Sequence, residues 1–189
     1  MKTSKSLIKS AVIFHGTYGS PQGNWFPWLG NHLKTKGWDV HIPTLPTPKN
    51  QSLDNWKTAL AEQVPNYHDA DLFVGHSCGG SFLLRLLEAE LVKPHTSIFV
   101  GSVTDALGNQ FDELNKSFVD HPFDWQTIKA SCNNAHVFHG DNDPYVSVAQ
   151  SKIIAEKLDA PFHLIENGGH LNADSGYTSF DEILDCIDV

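Results

Sequence analysis

Three short segments of this 189-residue chain carry side chains whose types and order suggest chemistry. Ser77 lies in Gly75-His76-Ser77-Cys78-Gly79-Gly80, Asp143 in Gly140-Asp141-Asn142-Asp143-Pro144-Tyr145-Val146, and His170 in Asn167-Gly168-Gly169-His170-Leu171-Asn172. A serine hydroxyl is a poor nucleophile at neutral pH. It becomes effective when an imidazole within hydrogen-bond reach accepts its proton and a carboxylate holds that imidazole in one tautomer. The chemistry available to such a set is acyl transfer through a covalent acyl-serine. It also needs two backbone N–H groups aimed at the developing oxyanion, one from the residue after the nucleophile and one from the loop after an earlier strand. Cys78 is the first donor by position. Thr17, in the turn His15-Gly16-Thr17-Tyr18-Gly19, is the second.

Each assignment has a plainer competitor. A glycine-rich turn between a strand and a helix can simply pack tightly or bind phosphate, and a histidine in a loop is ordinarily a solvated surface residue. What separates the readings here is context. Leu72-Phe73-Val74 runs straight into the Ser77 turn and then into an apolar helix, and the acid and the histidine follow in the order Ser, acid, His, each after a strand. Asp143 is preferred to Asp141 because it stands three residues beyond the strand-ending Gly140, with Val146 three further on. Asp141 is expected to brace the turn through nearby backbone amides.

The elements that must position these residues alternate between strand and helix. Predicted strands are Ala11–His15, Trp38–Ile42, Leu72–Gly75, Thr96–Gly101, Ala135–His139 and Phe162–Glu166, several of them nearly continuous apolar runs, as parallel strands covered on both faces require. Predicted helices are Trp25–Lys36, Leu53–Val64, Gly79–Leu91, Asp112–Phe118, Val148–Leu158 and Ser179–Ile187. The pattern implies an α/β protein built on one doubly wound, mostly parallel six-stranded sheet, in a single domain over residues 1–189, with its site at the carboxyl ends of the strands. The longest stretch between strands, residues 102–134, is too short for a separate lid domain and long enough for a flap or a partner surface.

Composition narrows the function classes. Hydrophobic residues make up 40% and aromatic residues 11%, as in a globular protein, and thirteen basic against twenty-two acidic side chains give a net charge of −9, which disfavours nucleic-acid and anionic-membrane partners. Near the start, Lys2, Lys5 and Lys9 interrupt the chain so that only Ala11-Val12-Ile13-Phe14 is continuously apolar, too short for a signal core or a membrane span, and a cytoplasmic location is expected. Cys78, Cys132 and Cys186 are odd in number and lack CxxC spacing, so reduced thiols are expected rather than disulfides or a cysteine zinc site. Among eleven histidines the nearest pair outside the motifs is His136 and His139, which a strand points to opposite faces. Neither a metal nor another cofactor is expected. Beside the oxyanion turn, His15, Tyr18, Trp25 and Trp28 are candidates for a substrate pocket, with the alternative that Trp25-Phe26-Pro27-Trp28 merely opens a packed helix.

With these motifs placed, the chain resembles the YdeN and retinoblastoma-binding protein 9 family of small serine hydrolases. The resemblance runs along nearly the whole length. It rests on His15-Gly16-Thr17-Tyr18-Gly19-Ser20-Pro21, Asn24-Trp25-Phe26-Pro27-Trp28-Leu29, Gly75-His76-Ser77-Cys78-Gly79-Gly80, His121-Pro122-Phe123-Asp124-Trp125, Asp141-Asn142-Asp143-Pro144-Tyr145-Val146 and Gly168-Gly169-His170. It implies a minimal, lidless α/β-hydrolase fold with six strands, carboxylesterase-like activity on small esters, and Ser77, Asp143 and His170 as the triad. The retinoblastoma-binding Leu-x-Cys-x-Glu motif of the human relative has no counterpart around Leu60 to Val64, so that partner is not implied. The expected ligand is a small-molecule ester or amide; an aminopeptidase or amidase with the same triad and a largely non-catalytic binding protein on the same fold are the competing readings.

Overall fold

The nearly continuous apolar runs fold as buried parallel strands. A computed structural model describes residues 8–187, so Lys2 and Lys5 lie outside the described residues. Strands β1 (Ser10–Phe14), β2 (Asp39–His41), β3 (Leu72–His76), β4 (Thr96–Val100), β5 (Asn134–Gly140) and β6 (Phe162–Ile165) form one sheet in the order β2-β1-β3-β4-β5-β6. Every neighbouring pair is parallel, where the sequence predicts a mostly parallel sheet. The connections explain this: each strand is followed by helix, α1 (Phe26–Thr35), α2 (Leu53–Gln63), α3 (Cys78–Glu88), α4 (Asp112–Val119) with α5 (Trp125–Ser131), and α6 (Val148–Leu158), which returns the chain to the same sheet edge.

Alternation along the strands divides the core in two. Val12, Phe14, Phe73, Phe99 and Val137 face a layer formed by α2, α3, α5 and α6, while Ala11, Ile13, Val74, Ile98 and Phe138 face α1 and the C-terminal segment. Burying each such side chain contributes roughly 1.5–3 kcal/mol. The chain moves outward from β1 to β2 and then returns to place β3 on the other side of β1. That reversal opens a crevice beyond the carboxyl ends of β1 and β3, the position where open α/β sheets take ligands.

Two elements differ from the sequence prediction. The last segment, predicted as an α-helix over Ser179–Ile187, is a 3-10 helix over Asp181–Cys186. Phe180, Ile183 and Ile187 of this segment are buried in the α1-side core, and Leu184 and Cys186 pack against them. The second is α5, a seven-residue helix absent from the prediction. Asp124 starts it by accepting the backbone N–H groups of Gln126 and Thr127 at 3.1 Å each.

Residues 102–134 form neither a loose flap nor a separate layer. Arg85, on α3 and 2% exposed, donates from Nε to the Phe118 carbonyl (2.8 Å) and from a terminal nitrogen to the His121 carbonyl (2.5 Å), and its guanidinium lies 3.8 Å from the Phe123 ring centre. Glu88 completes the clamp, accepting from Arg85 at 2.7 Å and from the Asp124 N–H at 2.6 Å. No described helix is long and apolar enough to cross a membrane.

The β3–α3 junction makes the sharpest demand on residue size. A Cβ on Gly75 would lie 2.5 Å from the Gly79 carbonyl oxygen and 2.7 Å from Gly80 Cα, both backbone atoms that cannot swing away. Gly75→Ala is therefore expected to lower unfolding free energy by about 3 kcal/mol, read from urea midpoints. Gly23→Ala, whose added carbon meets nothing nearer than 3.4 Å, should change it by less than about 0.5 kcal/mol. Equal effects would refute the packing account.

Candidate active site

Ser77 links the end of β3 to the start of α3 with φ 56° and ψ −126°, a left-handed conformation that an L residue adopts only when its surroundings compel it. Its N–H is held by the Val100 carbonyl at 2.8 Å. The turn lifts the side chain above the carboxyl edge of the sheet. There it lines a cleft of about 260 Å³ together with Thr17, Tyr18, Phe111, Tyr145 and His170. Cys78 opens α3, so its N–H is one of the four at a helix start that have no acceptor within the helix.

His170 arrives on the loop after β6. Its Nδ1–H donates to Asp143 Oδ2 at 2.7 Å, which leaves Nε2 as the proton-accepting nitrogen. The Asp143 side chain is 1% exposed, and its Oδ1 accepts the Tyr145 and Val146 N–H groups at 2.8 and 3.1 Å. Burial by itself would raise the Asp143 pKa, but the bond and charge attraction of His170 with the two amide donors outweigh it and hold the carboxyl below its ordinary range. His139 also lies 3.8 Å from Asp143, yet burial pushes its pKa down, and its Nε2–H is donated to the Val146 carbonyl at 3.0 Å. It stands as a neutral neighbour rather than an ion-pair partner.

The loop that carries His170 is pinned by groups from three other segments. His76, wholly buried, donates Nε2–H to the His170 carbonyl at 2.9 Å, and the Trp25 indole N–H donates to the next carbonyl, Leu171, also at 2.9 Å. Asn142 Oδ1 accepts the Gly169 N–H at 2.6 Å, Asp141 Oδ1 accepts the Asn167 N–H at 2.8 Å, and Asn24 Oδ1 accepts the Ala173 N–H at 3.0 Å. Asp141 thus braces the neighbouring loop, 26 residues away, rather than its own turn. A Cβ on Gly140 would collide with the Gly169 carbonyl, so the acid and histidine loops run in direct backbone contact.

Thr17 is fixed from the opposite side. Its hydroxyl donates to Asn115 Oδ1 and accepts from Gln51 Nε2, each at 2.7 Å. The cleft wall continues as a chain of edge-to-face rings, Tyr18 to Phe111 at 6.1 Å, Phe111 to Tyr145 at 5.6 Å and Tyr145 to His170 at 5.1 Å.

Three of the four pocket candidates do not line this cleft. His15 is fully buried beneath it: Nε2 accepts the Leu45 N–H at 3.0 Å, which leaves the proton on Nδ1 to be donated to the Gly16 carbonyl at 2.9 Å. Trp25 is buried in the α1-side core and acts through Leu171, as described. Trp28 stacks near His32 and packs against that same core. Tyr18 does line the cleft. The aromatic residues after the first turn face inward because α1 must bury an apolar stripe against the sheet. The groups that sequence reasoning missed, His76, Asn142, Gln51, Asn115 and Phe111, act on segments 27 to 98 residues away or line the cleft from an insertion. No local pattern marks a side chain whose partner is that distant.

The chain is similar to known serine hydrolases along nearly its whole length. The sequence model of the serine hydrolase family matches residues 11–189. YdeN of Bacillus subtilis (strain 168) is 28% identical over 183 residues, covering 96% of this chain and 95% of YdeN. The serine hydrolase RBBP9 of Rattus norvegicus is 24% identical over 177 residues, covering 92% and 91% of the two chains. The crystal structure of the B. subtilis ydeN gene product superposes with a TM-score of 0.85 at 29% identity, covering 94% of this chain and 95% of that one.

His76 gives the site a measurable pH signature. Burial, with a smaller contribution from the neighbouring His170, lowers its pKa from 6.5 to about 3. The folded protein therefore keeps it neutral where the unfolded chain protonates it. Between those values the unfolded state binds more protons, so this residue makes stability rise with pH and fall on acidification below about pH 6.5. His76→Gln retains a donor but cannot titrate. Urea midpoints between pH 7 and 4 should show a slope shallower in the variant by up to roughly 1.4 kcal/mol per pH unit, and unchanged slopes would remove this assignment.

Proposed function

The chain belongs to the serine hydrolase family, and on that basis we propose that it cleaves small carboxylic esters through an acyl-enzyme on Ser77. The observation that carries the reading is the 2.7 Å bond from His170 Nδ1–H to a buried Asp143, on the rim of the cleft that the strained Ser77 also lines. With Nδ1 committed, His170 Nε2 accepts the Ser77 proton as Oγ attacks the carbonyl carbon. The oxyanion of the tetrahedral intermediate is stabilised by the Cys78 and Thr17 N–H groups. Collapse expels the alcohol, which takes the proton from His170 Nε2. Water, deprotonated by the same nitrogen, then releases the acid and restores Ser77.

The cleft's volume of about 260 Å³ and its Tyr18, Phe111 and Tyr145 walls favour short acyl chains. The aromatic rings also suit an aryl leaving group. The mechanism itself calls on no metal or cofactor. Three free cysteines and a net charge of −9 support a cytoplasmic protein that acts on a small molecule rather than on nucleic acid or a membrane surface.

The test is hydrolysis of p-nitrophenyl acetate and butyrate, run beside fluorophosphonate labelling read by intact mass. Wild-type protein should turn over both esters and take up one adduct, and Ser77→Ala should lose both properties. Asp143→Asn should lower turnover on the order of 10⁴-fold, because the amide no longer fixes the required tautomer. Preferential turnover of matched p-nitroanilides would replace esters by amides as the substrate class. A folded wild-type protein that neither labels nor turns over would leave the binding-protein reading in its place.

A further inference from the structure

At the amino-terminal end of β5 and β6, away from the cleft, His136, His163 and Cys186 bring their donor atoms within 4.8 Å of one another. The sheet register accounts for the encounter. Phe138 is paired with His163, and His136 lies two residues before Phe138, so both imidazoles project from the α1-side face. Cys186 reaches them from the C-terminal 3-10 helix, which packs on that face. His139 takes no part: it faces α6, where Nδ1 accepts the Ser151 hydroxyl at 2.8 Å. All three members of the cluster are half-buried. The Phe138 ring lies 4.3 Å from that of His163 at an interplanar angle of 12°, which fixes the plane of the imidazole.

The spacing fits an ion better than it fits a hydrogen bond. His136 Nδ1 and His163 Nε2 are 3.4 Å apart, beyond the usual range of about 2.7–3.2 Å for a nitrogen donor. A tetrahedral ion with metal–nitrogen bonds of about 2.0–2.1 Å separates two nitrogen ligands by about 3.3–3.4 Å. The corresponding nitrogen–sulfur edge, with a metal–sulfur bond of about 2.3 Å, is about 3.6 Å. Cys186 Sγ stands 4.0 Å from His163 Nε2, a few tenths of an ångström beyond that edge.

We propose that His136, His163 and Cys186 form a binding site for a zinc-class divalent ion, with a fourth position open to water, that fastens the C-terminal segment to the sheet. Two imidazoles and one thiolate are a donor set suited to a borderline-soft ion and poorly suited to calcium or magnesium. On binding, the Cys186 thiol forms a metal–sulfur bond and its proton leaves to solvent, so the filled site carries one net positive charge. The ion would stabilise the folded chain by mass action, since the unfolded chain does not hold the three ligands together. The active-site cleft lies beyond the opposite ends of the same strands, so ester hydrolysis is not the readout of this site.

The experiment uses the full chain without an affinity tag, stripped with chelator and re-dialysed. Zinc is titrated by calorimetry, and cobalt(II) substitution is followed by absorption. Wild-type protein should take up one zinc ion per chain at micromolar concentration, melt at a higher temperature with zinc than without, and show a thiolate-to-cobalt charge-transfer band. Cys186→Ser should abolish that band and weaken zinc binding at least tenfold, since removing even the groups that orient metal ligands costs about 10–100-fold. His136→Gln, at a half-buried position, should weaken zinc binding by at least as much. Circular dichroism establishes that each variant is folded. Absence of zinc uptake by folded wild-type protein, or equal uptake by wild type and both variants, would overturn the proposal.

Discussion

The steric constraint at Ser77 organises the molecule. A residue at φ 56° between a strand and a helix turns the chain so tightly that β3, α3 and the end of β1 meet backbone to backbone. A Cβ on Gly79 would lie 2.6 Å from the Phe14 carbonyl oxygen and 2.7 Å from that of His15, and one on Gly16 would lie 2.7 Å from Ser77 Cβ. Those approaches are possible only if β1 and β3 are adjacent and parallel, with their ends level. That is the arrangement at the point where the sheet order reverses. Residual strain of this kind, of order 1–3 kcal/mol, persists only where the surroundings over-determine the backbone. Here the apolar α3, buried along nearly its whole length, and four inner strands supply that support.

A second layer of order comes from buried polar groups that are kept uncharged. His15, His76 and His139 all have lowered pKa values, chiefly from burial, and each has a backbone partner. Acting as neutral imidazoles they tie loops together without placing a second charge beside Asp143. The carboxylate therefore sits in a low-dielectric setting where its attraction for the His170 ring is little screened. Each loop at the carboxyl edge is held by a side chain from another: the His170 loop by Trp25, His76, Asp141 and Asn142, and the Thr17 turn by Gln51 and Asn115.

The fold was largely readable in advance because buried parallel strands and amphipathic helices leave strong periodic signals. Five of the six predicted helices lie where α-helices stand, within a few residues, and so do all six strands. Ser77, Asp143 and His170 stand in turns after β3, β5 and β6, where glycines and strand ends marked them, and His170 and Asp143 are bonded. What escaped had a physical reason in each case. The seven-residue α5 is shorter than two turns and leaves almost no periodicity, and the last helix is wound at three residues per turn rather than 3.6. Trp25 and His15 read as pocket residues by their nearness in sequence to the oxyanion turn, whereas packing turned both inward. Phe111 enters the cleft wall from a stretch with no resemblance to a motif, and only the tertiary clamp on that stretch brings it there.

That clamp determines what is free to vary. Arg85 and Glu88 hold the end of α4 and the segment after it to α3, the helix that Ser77 begins. The part of the cleft wall carrying Phe111 and Asn115 is thus referenced to the helix that Ser77 begins. Changes in side-chain size at Phe111 can reshape the cleft wall while the bond between His170 and Asp143, held by other loops, keeps its place. The shape of the cleft and the placing of Ser77 are to that extent separately adjustable in this scaffold, one drifting with the residues that lead into α4 while the other stays tied to the β3–α3 turn.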